Sequence, residues 1–203
     1  PGMWDTTGHR CDGPAHFSRM KGIIVQFIFG IALVIVLILG PYEIVTAAQK
    51  YTNEQQKVMD YVHGSPAALQ NFTAAEISHL NDVKSVMTTA RLVFALAVFI
   101  SILAGAHLYK QNQVRKPALI ASASCISFIV LLGMSMLLSF SSAFSAFHAL
   151  FFSPGTWTFP ENSKIIQLFP LDFFISTAKN ILIAVIITSL GAYVGFKHEK
   201  TRL

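Results

Sequence analysis

Four long apolar stretches constrain the fold of this 203-residue chain more than any other feature. They cover approximately residues 22–40, 88–106, 118–139 and 177–196. Each has the roughly 20 mostly apolar residues that a helix needs to cross a bilayer. Unbroken apolar runs are typical of helices, since the strands of a membrane barrel alternate in polarity. We therefore predict an all-α, polytopic membrane protein, a bundle of four transmembrane helices with helical extracytoplasmic loops.

The scarcity of charge predicts how the chain is divided. Only 12% of the residues are charged, against about a quarter in a soluble domain, so no large water-soluble core is expected. We predict that residues 20–203 form a single four-helix membrane domain. Residues 1–19 are interpreted as a cytoplasmic tail, or as a remnant added upstream of a natural start at Met20.

The distribution of charge predicts the topology. The side shared by the termini and the middle loop has nine Lys and Arg against three carboxylates, whereas the other side has six against seven. The positive-inside rule then places both termini in the cytoplasm and both long loops outside. The net charge of +5 is thereby explained without nucleic acid as a partner.

The cysteines and the ionisable residues exclude several other functions. Cys11 is expected on the tail and Cys125 within the third span, so we predict no disulfide. The tract with His9, Cys11 and His16 lacks the helix or hairpin context of a metal site, and we expect neither a metal nor a cofactor. Ion-coupled transporters carry ionisable groups at mid-membrane, and these spans have almost none.

Local signals predict helices outside the membrane. Residues 42–62 are expected to form a helix that extends or follows the first span, and His63-Gly64-Ser65-Pro66 breaks it. Thr73, three residues before Glu76, forms a capping box that predicts a helix beginning at Ala74 and leading into the second span. Phenylalanines recur at helical spacing after the third span, which predicts that its helix continues to about Phe152.

Two histidines are the candidate chemical groups. His79 lies nine residues before the second span and His148 nine residues after the third, so both rings are expected about 14 Å outside the membrane. A side chain that titrates near neutral pH can move a proton. Asp82 and Glu76, three residues either side of His79, are candidates to orient its ring or raise its basicity. Taken singly, each histidine also has an ordinary interpretation, as part of a solvated helix or of an aromatic interface.

The segments 76–84, 147–152, 157–159 and 166–170 carry a family resemblance. They read Glu-Ile-Ser-His-Leu-Asn-Asp-Val-Lys, Phe-His-Ala-Leu-Phe-Phe, Trp-Thr-Phe and Ile-Gln-Leu-Phe-Pro. In this order they resemble the lipoprotein intramolecular transacylase family of Gram-positive bacterial membranes, which are small four-span proteins. The resemblance extends from the helix before the second span to the fourth span.

The resemblance implies a reaction and its residues. Such enzymes move an acyl chain from the glycerol of a diacylglyceryl-cysteine lipoprotein to the α-amino group of that cysteine, which gives a lyso-form lipoprotein. The family's two functional histidines correspond to His79 and His148, one as base and the other as donor, in an order that stays open. The expected partners are the lipoprotein substrate and membrane lipids, with the site at the outer face of a bacterial cell membrane. The supporting or substrate-binding candidates are Glu76, Asp82, Phe147, Phe151, Phe152 and Trp157.

Two alternatives stay open at this stage. One is a non-catalytic membrane adaptor that binds a partner protein through its outer loops. The other is an acyltransferase between two separate lipids, which would need a place for a second substrate. The sequence alone gives no oligomeric state.

Overall fold

The computed structural model describes residues 13–66 and 69–198 of the chain, and within these ranges every regular element is an α-helix. The helices are α1 (Gly13–Ala48), α2 (Asn53–Val62), α3 (Ala74–Lys110), α4 (Arg115–Leu138), α5 (Phe140–Phe151), α6 (Lys164–Leu168) and α7 (Leu171–His198). Four helical segments are long and apolar enough to cross a membrane, namely Met20–Ala48, Ala74–Lys110, Arg115–Leu138 and Leu171–His198. The predicted fold class is confirmed. His9 and Cys11 lie outside the described residues, and the division of the chain at residue 20 stays a prediction.

The spanning helices pack around α1, which contacts α3, α4 and α7, while α4 also packs against α7. The centre of the bundle is an apolar cluster of Leu37, Cys125, Ile129 and Val185. The buried Ser189 hydroxyl donates a hydrogen bond to the free thiol of Cys125 at 3.3 Å. Small polar residues of this kind allow close helix contact without leaving a hydroxyl unpaired.

The first helix continues past the end of the predicted span. Pro41 lies inside α1, which ends only at Ala48. Proline removes one backbone donor, and the helix nevertheless runs on, with the Thr46 hydroxyl donating to the Tyr42 carbonyl at 2.8 Å. The separate helix α2 then begins after Thr52. Residues 42–62 therefore both extend the helix of the first span and form a second helix.

The beginning of α3 is as predicted. Thr73 is its N-cap, and the capping box with Glu76 is complete, with the carboxylate accepting from the Thr73 backbone N–H at 2.7 Å. The helix runs without interruption from Ala74 to Lys110. His79 is therefore held rigidly by the helix that forms the second span.

The prediction that the third-span helix continues unbroken to Phe152 is wrong. The helix α4 ends at Leu138, and Ser139 has an extended backbone with φ −161° and ψ 97°. The Ser139 side chain accepts a hydrogen bond from the backbone N–H of Ser142 at 3.3 Å and so caps a new helix, α5. Serine is a favoured N-cap because its short side chain can satisfy a free backbone donor. The helical spacing of the phenylalanines did not indicate this break, because it begins after Ser139.

A layer of short helices covers the end of the bundle at which α3 and α7 begin. Its apolar cluster consists of Val58, Val62, Leu80, Ile165 and Phe169, which come from α2, α3, α6 and the turn after α6. The Lys164 ammonium lies 3.2 Å from the Glu54 carboxylate and joins α6 to α2. The short helices α2 and α6 are therefore joined to each other and packed against the spanning helix α3.

Candidate active site

The two candidate histidines are in contact. The ring centroids of His79 and His148 are 6.3 Å apart, and the planes are inclined by 26°. His79 comes from the second turn of α3 and is buried, whereas His148 comes from the last turn of α5 and is partly buried. The break at Ser139 does not separate them, because α5 still brings His148 beside the first turns of α3.

A backbone hydrogen bond assigns the tautomer of His148. Its Nδ1 lies 2.8 Å from the carbonyl oxygen of Phe144. A carbonyl only accepts, so Nδ1 carries the hydrogen, and the lone pair of the neutral ring is on Nε2. Burial lowers the pKa of His148 from its ordinary value, and the bond to Phe144 opposes part of that effect. A neutral His148 with a basic Nε2 is therefore the form expected near pH 7.

His79 is enclosed by aromatic rings. The Phe152 ring lies 4.9 Å from it in an edge-on arrangement, and the Phe159 ring lies 5.6 Å from it. Its Nδ1 atom is buried and has no hydrogen-bond partner within residues 20–66 and 69–198. Buried polar atoms are normally paired, so an unpaired ring nitrogen beside a second histidine is typical of a site that receives a ligand.

His148 also has aromatic neighbours of its own. The centroid of the Phe144 ring lies 4.0 Å from that of His148, and the Trp157 ring lies 4.9 Å from it. The indole Nε1 of Trp157 is buried and, among the side chains that the structure describes, finds no acceptor. Both histidines thus lie in an aromatic environment that contains two unpaired polar atoms, His79 Nδ1 and Trp157 Nε1.

The phenylalanines predicted to support the site divide into two groups. Phe152 is buried and lies beside both histidine rings, at 4.9 Å from His79 and 5.4 Å from His148. Phe147 lies 5.7 Å from His148 and 4.9 Å from Phe151, with the two phenylalanine rings tilted against each other by 51°. Phe147 and Phe151 are exposed, at 54% and 46%, as is expected of residues facing lipid.

The two carboxylates differ in their relation to His79. Glu76 is 1% exposed, and its oxygens accept from the Thr73 backbone and hydroxyl and from the backbone N–H of Ile165 at 2.9 Å. Asp82 is exposed and acts on His79 through its charge alone. Within the described residues neither carboxylate hydrogen-bonds the His79 ring. Glu76 instead fastens the beginning of α6 to the beginning of α3.

Two residues of the site were not among the predicted ones. Phe144 anchors His148 through its carbonyl, and Phe159 packs on His79. Phe144 precedes His148 by four residues, which is the spacing at which a helical histidine can reach a backbone carbonyl, so this partner could have been found. Phe159 reaches His79 only through the turns between α5 and α6, for which the sequence has no local signal.

Comparison with known proteins identifies the family. The family model described as lipoprotein intramolecular transacylase Lit matches residues 23–174. The chain belongs to this family. The matched region contains both histidines, the capping box of α3 and the aromatic turns before α6. The resemblance of the four short segments is thereby confirmed.

Solved structures of the Lit protein of Bacillus cereus share the fold. A variant with one histidine replaced by alanine has a TM-score of 0.73 at 19% identity, over 92% of this chain and 96% of that one. A variant with the same histidine replaced by arginine has a TM-score of 0.72 at 19% identity, over 91% and 94%. A third structure has a TM-score of 0.67 at 24% identity, over 91% and 96%. These proteins are described as membrane-integral lipoprotein intramolecular transacylases. No match is found among curated proteins.

Proposed function

We propose that this protein moves an acyl chain from the diacylglyceryl group of a lipoprotein to the α-amino group of the same N-terminal cysteine. Family membership supports the reaction class, and the contact between His79 and His148 is the observation that carries the residue assignment. The reaction forms an amide C–N bond and breaks an ester C–O bond. One proton moves from the attacking nitrogen to the glycerol oxygen, so acid/base groups are the chemistry that the protein must supply.

His148 acts as the base in this proposal. Its Nδ1 is committed to the Phe144 carbonyl, which leaves Nε2 free to accept the proton of the attacking amine. The same nitrogen then returns that proton to the departing glycerol oxygen. Burial keeps the pKa of His148 low and the ring neutral, so the base is ready near pH 7.

His79 acts as a hydrogen-bond donor to the substrate. Its ring stacks on His148 and has an unpaired buried nitrogen on the site side of α3. A neutral imidazole has one N–H, which can donate to the ester oxygen as negative charge develops there. In this low-polarity environment such a bond is stronger than it would be in water.

The substrate's own structure replaces a protein nucleophile. Amine and ester belong to one molecule, and well-oriented intramolecular reactions reach effective concentrations of about 10⁵–10⁸ M. The task of the protein is then to hold the acyl chain and move the proton. The exposed Phe147 and Phe151 are suited to hold acyl chains, because they lie on the lipid-accessible face of the helix that carries His148.

We also infer that the site lies at the outer face of a bacterial cell membrane with both termini in the cytoplasm. The ends of the bundle away from the histidines carry Lys110, Arg115 and Lys197, and Arg115 donates to the Lys197 carbonyl at 3.2 Å. Basic residues cluster on the cytoplasmic side of membrane proteins. The histidines would then face the leaflet in which lipoproteins are anchored.

The test uses purified protein and a synthetic diacylglyceryl-cysteine peptide. Intramolecular transfer leaves the mass unchanged, so the product is read from fragment ions of the N-terminal residue and from loss of the reactive α-amine. His79→Ala and His148→Ala are each expected to lower the rate by about 10²–10⁴-fold. His63→Ala is the matched control, because His63 is an exposed outer residue beyond α2. Wild-type activity in both variants would refute the assignment.

A second arm separates the alternatives. Two peptides of different length, one with deuterated acyl chains, are incubated together. Intramolecular transfer gives no product that combines the label of one with the length of the other, whereas transfer between lipids gives such products. An adaptor would leave every N-terminus unmodified.

A further inference from the structure

The indole of Trp157 carries an unsatisfied polar group close to the proposed site. Its Nε1 is buried and has no acceptor within the described parts of the chain. An indole N–H donates only and cannot be rearranged into an acceptor. A buried donor without a partner is rare in a native structure, and one beside a proposed catalytic base calls for a functional explanation.

The backbone around Trp157 holds the ring in a defined place. Gly155 has φ +81°, which a residue with a side chain rarely adopts. The Thr156 backbone N–H and hydroxyl both donate to the Ser153 carbonyl, at 3.2 and 2.9 Å. The tight turn between α5 and α6 thus places the indole against His148, at 4.9 Å between ring centroids.

Two lysines of this part of the molecule are engaged elsewhere. Lys164 contacts the Glu54 carboxylate and the Gln70 carbonyl, and Lys84 lies over the Tyr61 ring at 5.0 Å. The Nδ1–H of His148 is committed to its own helix. The indole N–H is therefore a donor that remains available beside the ring that takes the proton.

We propose that the Trp157 N–H hydrogen-bonds the carbonyl oxygen of the ester under attack and stabilises the oxyanion of the tetrahedral intermediate. The inference rests on the proposed transacylation and adds a catalytic residue to it. The indole keeps its hydrogen throughout, and the proton that moves is that of the amine. The Trp157 and His79 rings both adjoin His148, at 4.9 and 6.3 Å between centroids, and in this proposal the two side chains act as a pair of oxyanion donors.

The first test is Trp157→Phe, which keeps an aromatic ring and removes the N–H. Loss of one oxyanion donor lowers kcat by about 100- to 1,000-fold, and KM should change only a few-fold. The midpoint of thermal unfolding should stay the same or rise, because the variant no longer buries an unpaired donor. Trp4→Phe is the matched control and should keep full activity, since Trp4 precedes the family match at residues 23–174.

The second test replaces the Trp157 indole by benzothiophene, using benzothienylalanine, in which sulfur replaces the N–H in a ring of nearly the same shape. The same loss of kcat is expected. Full activity of this analogue would overturn the proposal, even if the phenylalanine variant is inactive, because the ring would then act by packing alone. The proposed function fails separately if the wild-type protein makes no N-acyl product or if both histidine variants keep their rate.

Discussion

Replacing Glu76 tests the link between the layer of short helices and the membrane bundle. The carboxylate is 1% exposed and accepts hydrogen bonds from Thr73 at one end and from the backbone N–H of Ile165 at the other. Ile165 lies 89 residues further along the chain and belongs to α6. In Glu76→Ala, the carboxylate half of the capping box and this long-range bond are both lost, while the Thr73 hydroxyl can still accept from the backbone N–H of residue 76.

The size of the effect follows from the two bonds. Loss of the Glu76 half of the capping box costs about 1 kcal/mol, and a hydrogen bond to a charged group contributes about 1.5–3 kcal/mol. We therefore expect Glu76→Ala to lower the free energy of unfolding by about 2.5–4 kcal/mol. Thr73→Ala removes only the hydroxyl part of the cap and should cost about 1 kcal/mol. The double variant should be less stable than Glu76→Ala, because it also loses the bond from the backbone N–H of residue 76 to the Thr73 hydroxyl. The two effects should add incompletely, because the Thr73 hydroxyl also donates to the Glu76 carboxylate.

The free energy is measured by titration with SDS in mixed micelles, and the rate with the lipopeptide assay. Activity of Glu76→Ala is expected to fall by about 100-fold, since a displacement of about 1 Å at a reacting group has an effect of that order. Glu54→Ala is the matched carboxylate control at the exposed Lys164 pair and should change stability little. The reasoning is refuted if Glu76→Ala is no less stable than Thr73→Ala, because the bond to Ile165 would then contribute nothing.

Three further results are expected. Burial lowers the pKa of His148 in the folded protein. As the pH falls below about 6.5, the unfolded chain therefore binds this proton before the folded chain does. The free energy of unfolding then decreases until the pH reaches the lowered pKa. This part of the pH dependence should be absent in His148→Gln unfolded by SDS. Ser139→Ala removes the N-cap of α5 and should lower the free energy of unfolding by about 0.5–2 kcal/mol in the same titration. A spin label at Leu150→Cys, a position 76% exposed on α5, should be more accessible to oxygen than to a water-soluble nickel complex in bilayers; the reverse order would show that this face does not contact lipid.

Local signals in the sequence were sufficient for part of the fold. The apolar stretches predicted the spanning helices, because only a helix or a closed barrel satisfies the backbone in lipid. The beginning of α3 at Ala74 was predicted because a capping box consists of neighbouring residues. The end of α2 was equally predictable, since His63 and Gly64 follow it directly and Gly64 has φ +99°.

Long-range contacts were beyond the reach of the sequence. The similar distances of His79 and His148 from their spans indicated a shared height but no ring contact. Glu76 was expected to help His79, whereas its partner is a backbone N–H far along the chain. Serine has several ordinary uses in a membrane helix, so nothing distinguished Ser139, which caps α5, from the other serines of the third span.

The break at Ser139 has a consequence for how the site is built. An uninterrupted helix would carry His148 outward along the axis of α4, which packs against α1 and α7. After the break, α5 makes contacts of its own, with the Phe144 ring 5.1 Å from that of Phe174 in α7 and His148 stacked on His79 in α3. The helix α5 therefore contacts both α3 and α7, and its position does not follow from the direction of α4. Because Phe144 provides both the contact to α7 and the carbonyl that fixes His148, the position of α5 and the tautomer of the proposed base depend on the same residue.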